Sequence, residues 1–270
     1  MNMQRNTMRG DIPQMTGWPT KLFSVNGDAK TIKGLKHKYL TMVHYGAPAW
    51  ESGYQTCPDA SDGCKNHCLF SSGRARQFAA IKESRINKTL MFFQHRPAFM
   101  AMMCKEIDAG IRKAKRENLT LCVRPNGTTD ITFEKTKAGV NLMGTFPDVQ
   151  FYDYTKSYKR MCQFLNGEMP ANYHLTFSRT ENNWERCKDV LLRGGNVAVV
   201  FATKNTDEFP DTYEGFPVYN GDDSDLRFLD PEGHIGNIIG LTVKATDFDP
   251  KVTIDSMLLS GMAVPCHSGK

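Results

Sequence analysis

The chain has 270 residues, 40% of them hydrophobic and 23% charged, with a formal net charge of +5. This is globular composition, long enough for one large core or two smaller ones, and it excludes a disordered tail protein, a collagen-like repeat and a coiled coil. No apolar stretch approaches the roughly 18 residues that a membrane-spanning helix needs, and the opening MNMQRNTMRGDIPQM lacks the apolar run of a signal peptide, so a soluble intracellular protein is expected.

Residues 1–34 form a polar N-terminal extension. Leu35 to Gly46 reads as a first strand with a basic lead-in. A loop rich in Gly, Pro, Ser and Asp follows, carrying Cys57, Cys64 and Cys68 in the spacing C-x6-C-x3-C. Two helices are expected next, Arg74 to about Gln94 and Ala98 to about Asn118, divided by Pro97, which suits the first position of a helix. In the second, Phe99, Met103, Ile107 and Ile111 recur every four residues and line up one buried face.

Short apolar runs then alternate with helical or irregular segments: Leu119 to Pro125, Val149 to Thr155, Tyr173 to Arg179, Asn196 to Thr203, Phe216 to Asp222 and Ile238 to Ala245. The segment TENNWERCKDVLLRGG has a polar start, an amphipathic middle and a Gly-Gly stop, which is helix punctuation. Near-continuous apolar strands separated by helices imply a parallel sheet covered by helices. For this length the leading arrangement is a TIM-barrel-like (β/α) barrel over residues 35–245, complete or incomplete, with a doubly wound open sheet second. Residues 246–270 are a tail placed to close over the cysteine loop. Both architectures put chemistry at the carboxyl ends of strands, where Arg124, Asn126, Asp153, Tyr154, Ser178, Arg179, Thr203, Lys204, Asn220 and Asp222 fall.

Eight cysteines in a chain without a secretion signal read as thiols or metal ligands, because the cytosol keeps thiols reduced. Cys57, Cys64 and Cys68 lie within twelve residues, whereas Cys104, Cys122, Cys162, Cys187 and Cys266 are scattered singly. Three thiolates on a flexible loop suit a 4Fe–4S cluster that takes its remaining ligand from elsewhere; zinc held by the thiolates and His67 is the alternative, and ordinary free cysteines the third reading. Cys266, in Val264-Pro265-Cys266-His267, is the candidate fourth ligand, because the last strand of a barrel lies beside the first. Cys104, Cys122 and Cys187 read as small buried hydrophobes, and Cys162 is a reserve ligand.

The run CPDASDGCKNHCLFSSGRARQFAAIKESRINKTLMFFQHRPAFM, followed by FPDVQFYDYTK, PANYHLTFSR, GGNVAVVFAT and GDDSDLRFLDP, resembles an uncharacterised family of tailed-bacteriophage proteins over most of residues 35 to 245. That likeness implies a phage origin, a clustered-cysteine protein and the cytoplasm of the infected bacterial host, and it carries no catalytic assignment. The context is also similar to that of radical S-adenosylmethionine enzymes, in which three cysteines follow the first strand of a (β/α) barrel, although their usual spacing is C-x3-C-x2-C.

Charge is unevenly spread: residues 65 to 116 hold twelve Lys or Arg against three acids, a balance of +9, while the remainder is at −4. Lys82, Arg85 and Lys88 are spaced by three along one helix flank, with Arg74 and Arg76 at its start. A second group, Arg112, Lys113, Lys115 and Arg116, closes the next helix and meets its dipole. The functional reading is a phosphate-backbone footprint giving salt-dependent, sequence-independent binding of DNA or RNA; the plain reading is a solvated helix face. Tyr54, Phe70 and Phe78 are candidate stacking rings, with core packing as their ordinary role. The expected function is therefore an iron–sulfur protein that binds nucleic acid and acts in its processing. The alternatives are a radical S-adenosylmethionine-type enzyme, with Asp153, Tyr154, Arg179 and Asn220 lining its pocket, and a zinc-stabilised interaction protein.

Overall fold

The computed structural model describes residues 17–68, 70, 78–135, 141–244 and 253–266. They build a mixed α/β fold on a ten-stranded, mostly parallel sheet that is not closed. The strands are β1 (Phe23–Val25), β2 (Tyr39–His44), β3 (Thr120–Arg124), β4 (Gln150–Thr155), β5 (Tyr173–Ser178), β6 (Val197–Phe201), β7 (Thr212–Tyr213), β8 (Phe216–Asn220), β9 (Ile238–Thr242) and β10 (Ala263–Val264). Their order is β1-β2-β3-β4-β5-β6-β9-β8-β7, with β10 pairing β6 off that path. All seven strands expected from the apolar runs are present. The three added ones, β1, β7 and β10, are two or three residues long.

From β2 to β6 the order follows the chain, as successive right-handed β–α units would give. It then departs, because β9 inserts between β6 and β8, parallel to both. Strand β5 is buried at every position, which marks a parallel strand covered on two faces. Strand β8 instead alternates half-buried and exposed residues and tolerates Pro217, as a strand with one wet face does. It forms an antiparallel hairpin with β7.

The helices are α1 (Ala29–Lys33), α2 (Asp62–Asn66), α3 (Ala79–Gln94), α4 (Arg96–Arg116), α5 (Leu142–Thr145), α6 (Tyr158–Leu165), α7 (Trp184–Leu192) and α8 (Ile254–Leu259). Pro97 falls in the first turn of α4, as its sequence position indicates. Two helices stop for the same physical reason. After α4, Asn118 turns left-handed (φ 52°), and the amides of Asn118 and Leu119 satisfy the carbonyls of Lys115 and Ala114 at 3.3 and 2.9 Å. After α7, Gly194 (φ 84°) does so, with Gly194 and Gly195 bonded back to Leu191 and Val190. In each, a residue that tolerates the left-handed region releases the chain into the next strand.

The described residues divide into two compact units. The first unit draws on Met1–Cys57, Ala79–Asp153 and Met169–His174. Its core sets Phe99, Met103 and Ile107 of α4, all fully buried, beside Leu40 and Met42 of β2. Each such side chain contributes about 1.5–3 kcal/mol of burial. Gly110 lets α4 approach the sheet, since a Cβ there would meet Met42 Sδ at 2.3 Å. The second unit draws on Pro58–Phe78, Tyr154–Glu168 and Leu175–Lys270. Its core joins Phe177 of β5, Val197, Val199 and Phe201 of β6, and Cys187, Val190 and Leu191 of α7.

Candidate functional site

In the second unit, the cysteine segment winds into the short helix α2. Ser61 caps it by accepting the Cys64 amide at 3.2 Å, and Asp62 places an acid in its first turn, so the local sequence favours the start of a helix there. Glu181, three residues beyond β5, then anchors the turn: its carboxylate accepts the Gly63 amide at 2.9 Å and the Ser61 hydroxyl at 2.7 Å. Burial raises the Glu181 pKa, but the hydrogen bonds from Ser61 and Gly63 outweigh it and hold the carboxyl below its ordinary value. A Cβ on Gly63 would lie 2.6 Å from Met262 Cγ and 2.7 Å from Glu181 Oε2, so any side chain there would displace one of the two.

The C-terminal segment comes to the same place. Helix α8 begins with a capping box between Thr253 and Ser256. The Ser256 hydroxyl lies 3.4 Å from His67 Nε2, while His67 Nδ1 lies 3.0 Å from the Gly63 carbonyl. Arg179, at the end of β5, donates through Nη1 to the carbonyls of Gly261 and Met262 at 2.7 and 3.3 Å. Strand β10 then runs parallel to the end of β6, with Ala202 N bonded to Val264 O at 2.8 Å. Cys64 packs against the small apolar cluster of Val243, Met257, Met262 and Ala263. The tail thus meets the cysteine helix through β6 in mid-sheet, a route different from the expected one beside the first strand.

Cys266 follows two residues after β10. Burial, and then the charge of Glu208, push its thiol pKa up. Cys64, Cys68 and Cys266 are all half-buried in this unit, and no cysteine is in a disulfide. In the first unit, Cys57 takes the Gln55 side-chain oxygen on its amide at 3.0 Å, and its sulfur lies 3.8 Å from the Thr128 carbonyl. Among the described residues no three His, Cys, Asp or Glu side chains are gathered as a metal-holding group. The donors are thiols, the ligand type that an iron–sulfur cluster takes, with Cys57 ahead of α2, Cys64 within it and Cys68 two residues past it, while His67 has both ring nitrogens hydrogen-bonded to protein.

The remaining cysteines behave as packing groups. Cys104, Cys122 and Cys187 are buried, and burial pushes the Cys187 thiol to about 12. Cys162 on α6 accepts a hydrogen bond from Arg193 Nη1 at 3.3 Å. In the first unit, Lys82, Arg85 and Lys88 lie on α3, each half-buried, with the Arg85 guanidinium 5.0 Å over the Tyr45 ring. Arg74 and Arg76 lie outside the described residues. Tyr54 stacks on Phe93 at 4.3 Å and Phe70 is buried, so both pack within the protein, whereas Phe78 is 55% exposed.

The polar strand ends are largely engaged in holding the chain. Asp153 is fully buried and accepts from the Asn126 amide and side chain and from the Tyr173 hydroxyl, all within 2.9 Å. Asp222 accepts from the Thr242 amide and hydroxyl and from Lys244. The residue that sequence reading passed over is Glu181, and its only signal is position: an acid just past a strand end, in the same loop as Arg179.

A family model described as Gene product 88 matches residues 21–249. No curated protein and no solved structure matches the chain.

Proposed function

This chain belongs to the Gene product 88 family, a phage-type protein family that works in a host-cell context, and from that premise we propose that it is a 4Fe–4S protein that binds nucleic acid without sequence preference in the cytoplasm of the infected bacterium. Cys57, Cys64, Cys68 and Cys266 would hold the cluster. Lys82, Arg85 and Lys88, with Arg74 and Arg76, would attract the phosphate backbone. Among the described residues no helix is long and apolar enough to cross a membrane.

The observation that carries the reading is the convergence within the second unit of the cysteine helix and the Cys266 tail. Three separate contacts hold them: the Glu181 carboxylate on α2, the Arg179 guanidinium on the tail, and the packing of Cys64 against Met262 and Ala263. A loop that brings its remaining thiols in only when the inorganic cofactor arrives is ordinary behaviour for such sites, because ligation free energy is folding free energy. The bound cluster would supply a structural clip or a redox-sensitive centre. The accompanying fold reading is an incomplete (β/α) barrel, supported by the chain-order succession from β2 to β6.

Anaerobic purification with iron and sulfide quantitation tests the proposal. The expected result is brown protein with about four irons per chain, and loss of most of that iron in Cys64→Ala and Cys266→Ala. Colourless, iron-free protein after reconstitution would overturn it. A cluster that survives Cys266→Ala and cleaves S-adenosylmethionine when reduced would replace it with an enzymatic reading. The nucleic-acid half is read separately by salt dependence: Lys82→Ala and Arg85→Ala should each lower the slope of log affinity against log salt by about 1.

A further inference from the structure

The first unit carries a groove of about 640 Å³ that the cluster reading does not use. It runs between the segment Gly17–Val25 and the first half of α3. Lys21, Ser84, Asn87 and Lys88 give its lining polar and basic groups, and Trp18 and Glu83 also line it. That volume falls within the roughly 300–1,000 Å³ of small-molecule sites.

The charge in the groove is only partly compensated. Glu106 lies near both lysines, but its two carboxylate oxygens are occupied by the amides of Leu22 and Phe23, at 2.7 and 3.0 Å. Lys88 Nζ makes no hydrogen bond or ion pair among the described residues. Burial holds its ammonium below the ordinary lysine range; Glu106 pulls it back up, and the charges of Arg85 and Lys21 push it down. A partly buried ammonium that is repelled by a second lysine gains most from an incoming anion. Trp18, on the lining of the groove, packs against His95 with ring centroids 4.6 Å apart.

We propose that this groove binds a phosphate monoester on a ligand the size of a mononucleotide, with Lys21 and Lys88 on the phosphate and Trp18 against the ring. Lysines act as point charges suited to a tetrahedral, multiply charged group, whereas planar carboxylates are best met by an arginine fork. Ser84 and Asn87 add neutral donors for a group that offers three strong acceptor oxygens. An aromatic face takes a base without reading its edges. The inference rests on the groove alone and is independent of whether a cluster binds. The same chemistry has two sources, a free mononucleotide or a 5′-phosphorylated strand end.

The test is calorimetric titration of the full chain with adenosine 5′-monophosphate and with adenosine. The monophosphate should bind and adenosine should bind at least about tenfold more weakly, and Lys88→Met should weaken the monophosphate by a similar factor. Lys21→Ala, at an exposed position, gives the same reading if Lys88→Met does not fold, and Lys113→Ala on α4 should leave the affinity unchanged. Stronger competition by a 5′-phosphorylated single strand than by its 5′-hydroxyl counterpart would identify a strand end as the source; equal competition by the two, which backbone contact at Lys88 alone would give, or none by either, would identify the free nucleotide. Equal binding of adenosine and its monophosphate, absence of binding by both, or unchanged affinity in both lysine variants would overturn the proposal.

Discussion

Both units lock polar side chains inward at strand ends, and the second also spends some of them on distant chain. In the first, His44 ends β2 fully buried among Phe23, Phe99 and Phe133, with Nδ1 on the Pro125 carbonyl at 2.9 Å, and Asp153 is consumed by Asn126 and Tyr173. In the second, Arg179 and Glu181 reach outward and hold two segments 82 and 118 residues away in the chain. Cys104 and Cys122 of the first unit are buried core atoms, as is Cys187 of the second, whereas Cys64, Cys68 and Cys266 of the second are half-buried. A strand end that locks its polar groups inward makes a scaffold, and one that spends them on distant chain makes a clamp.

On the proposed iron–sulfur reading, the largest contrast should appear in iron. Cys64→Ala should then remove most of the iron, while Cys122→Ala, a substitution in the first unit's core, should leave iron per folded chain unchanged; equal loss in both would erase the distinction between the units.

The next effect is acid sensitivity of the scaffold. Burial, and then the charge of Lys88, push His44 down to about 3, against a partial rise from the Pro125 hydrogen bond. A histidine depressed in the folded state contributes stability that is fully present above its unfolded value near 6.5 and is lost as pH falls toward 3. The contribution is on the order of 3–5 kcal/mol. Urea unfolding at pH 7 and pH 4 should show a large stability loss in the wild type, and a clearly smaller one in His44→Gln, which cannot take the proton.

Smaller effects belong to the clamp. Glu181→Gln should cost about 1–3 kcal/mol and expose the cysteine helix, and the tail packed on it, to limited proteolysis, because the Ser61 and Gly63 donors lose a charged acceptor. Glu181 is depressed in the fold, so its contribution is present above about pH 4.5 and fades as pH falls through the lower folded value. Gly63→Ala should loosen the same contact by overpacking against Met262, at about 1–3 kcal/mol, with proteolysis of the tail as the readout. A tail that stays protected in both variants would show that β10 pairing alone suffices.

Much of the fold was legible because its signals are local. Seven apolar runs bounded by polar or turn residues became seven strands, and Asn118 and Gly194 stopped their helices through backbone conformations that few residues tolerate. The short strands β1, β7 and β10 left no trace, since two or three residues cannot show a period. The insertion of β9 between β6 and β8 was equally hidden, because both strands are apolar runs of ordinary length. At the candidate site, the cysteine spacing and Cys266 stood out by residue type, whereas Glu181 looked like any loop acid until its partners were known. His44 drew no notice, since a lone histidine in an apolar strand is unremarkable until burial settles its charge.

By itself, the chain's order of residues determined its α/β character, the positions of the parallel strands, the helix stops and the clustering of thiols, because each depends on side chains within a few residues of one another. Tertiary structure decided which distant segments share hydrogen bonds: that the tail enters beside β6, that Glu181 and Arg179 hold the cysteine helix and the tail, and that Lys21 and Lys88 face one groove. Those pairings depend on strand order and burial, which set distances in space that no spacing along the chain encodes.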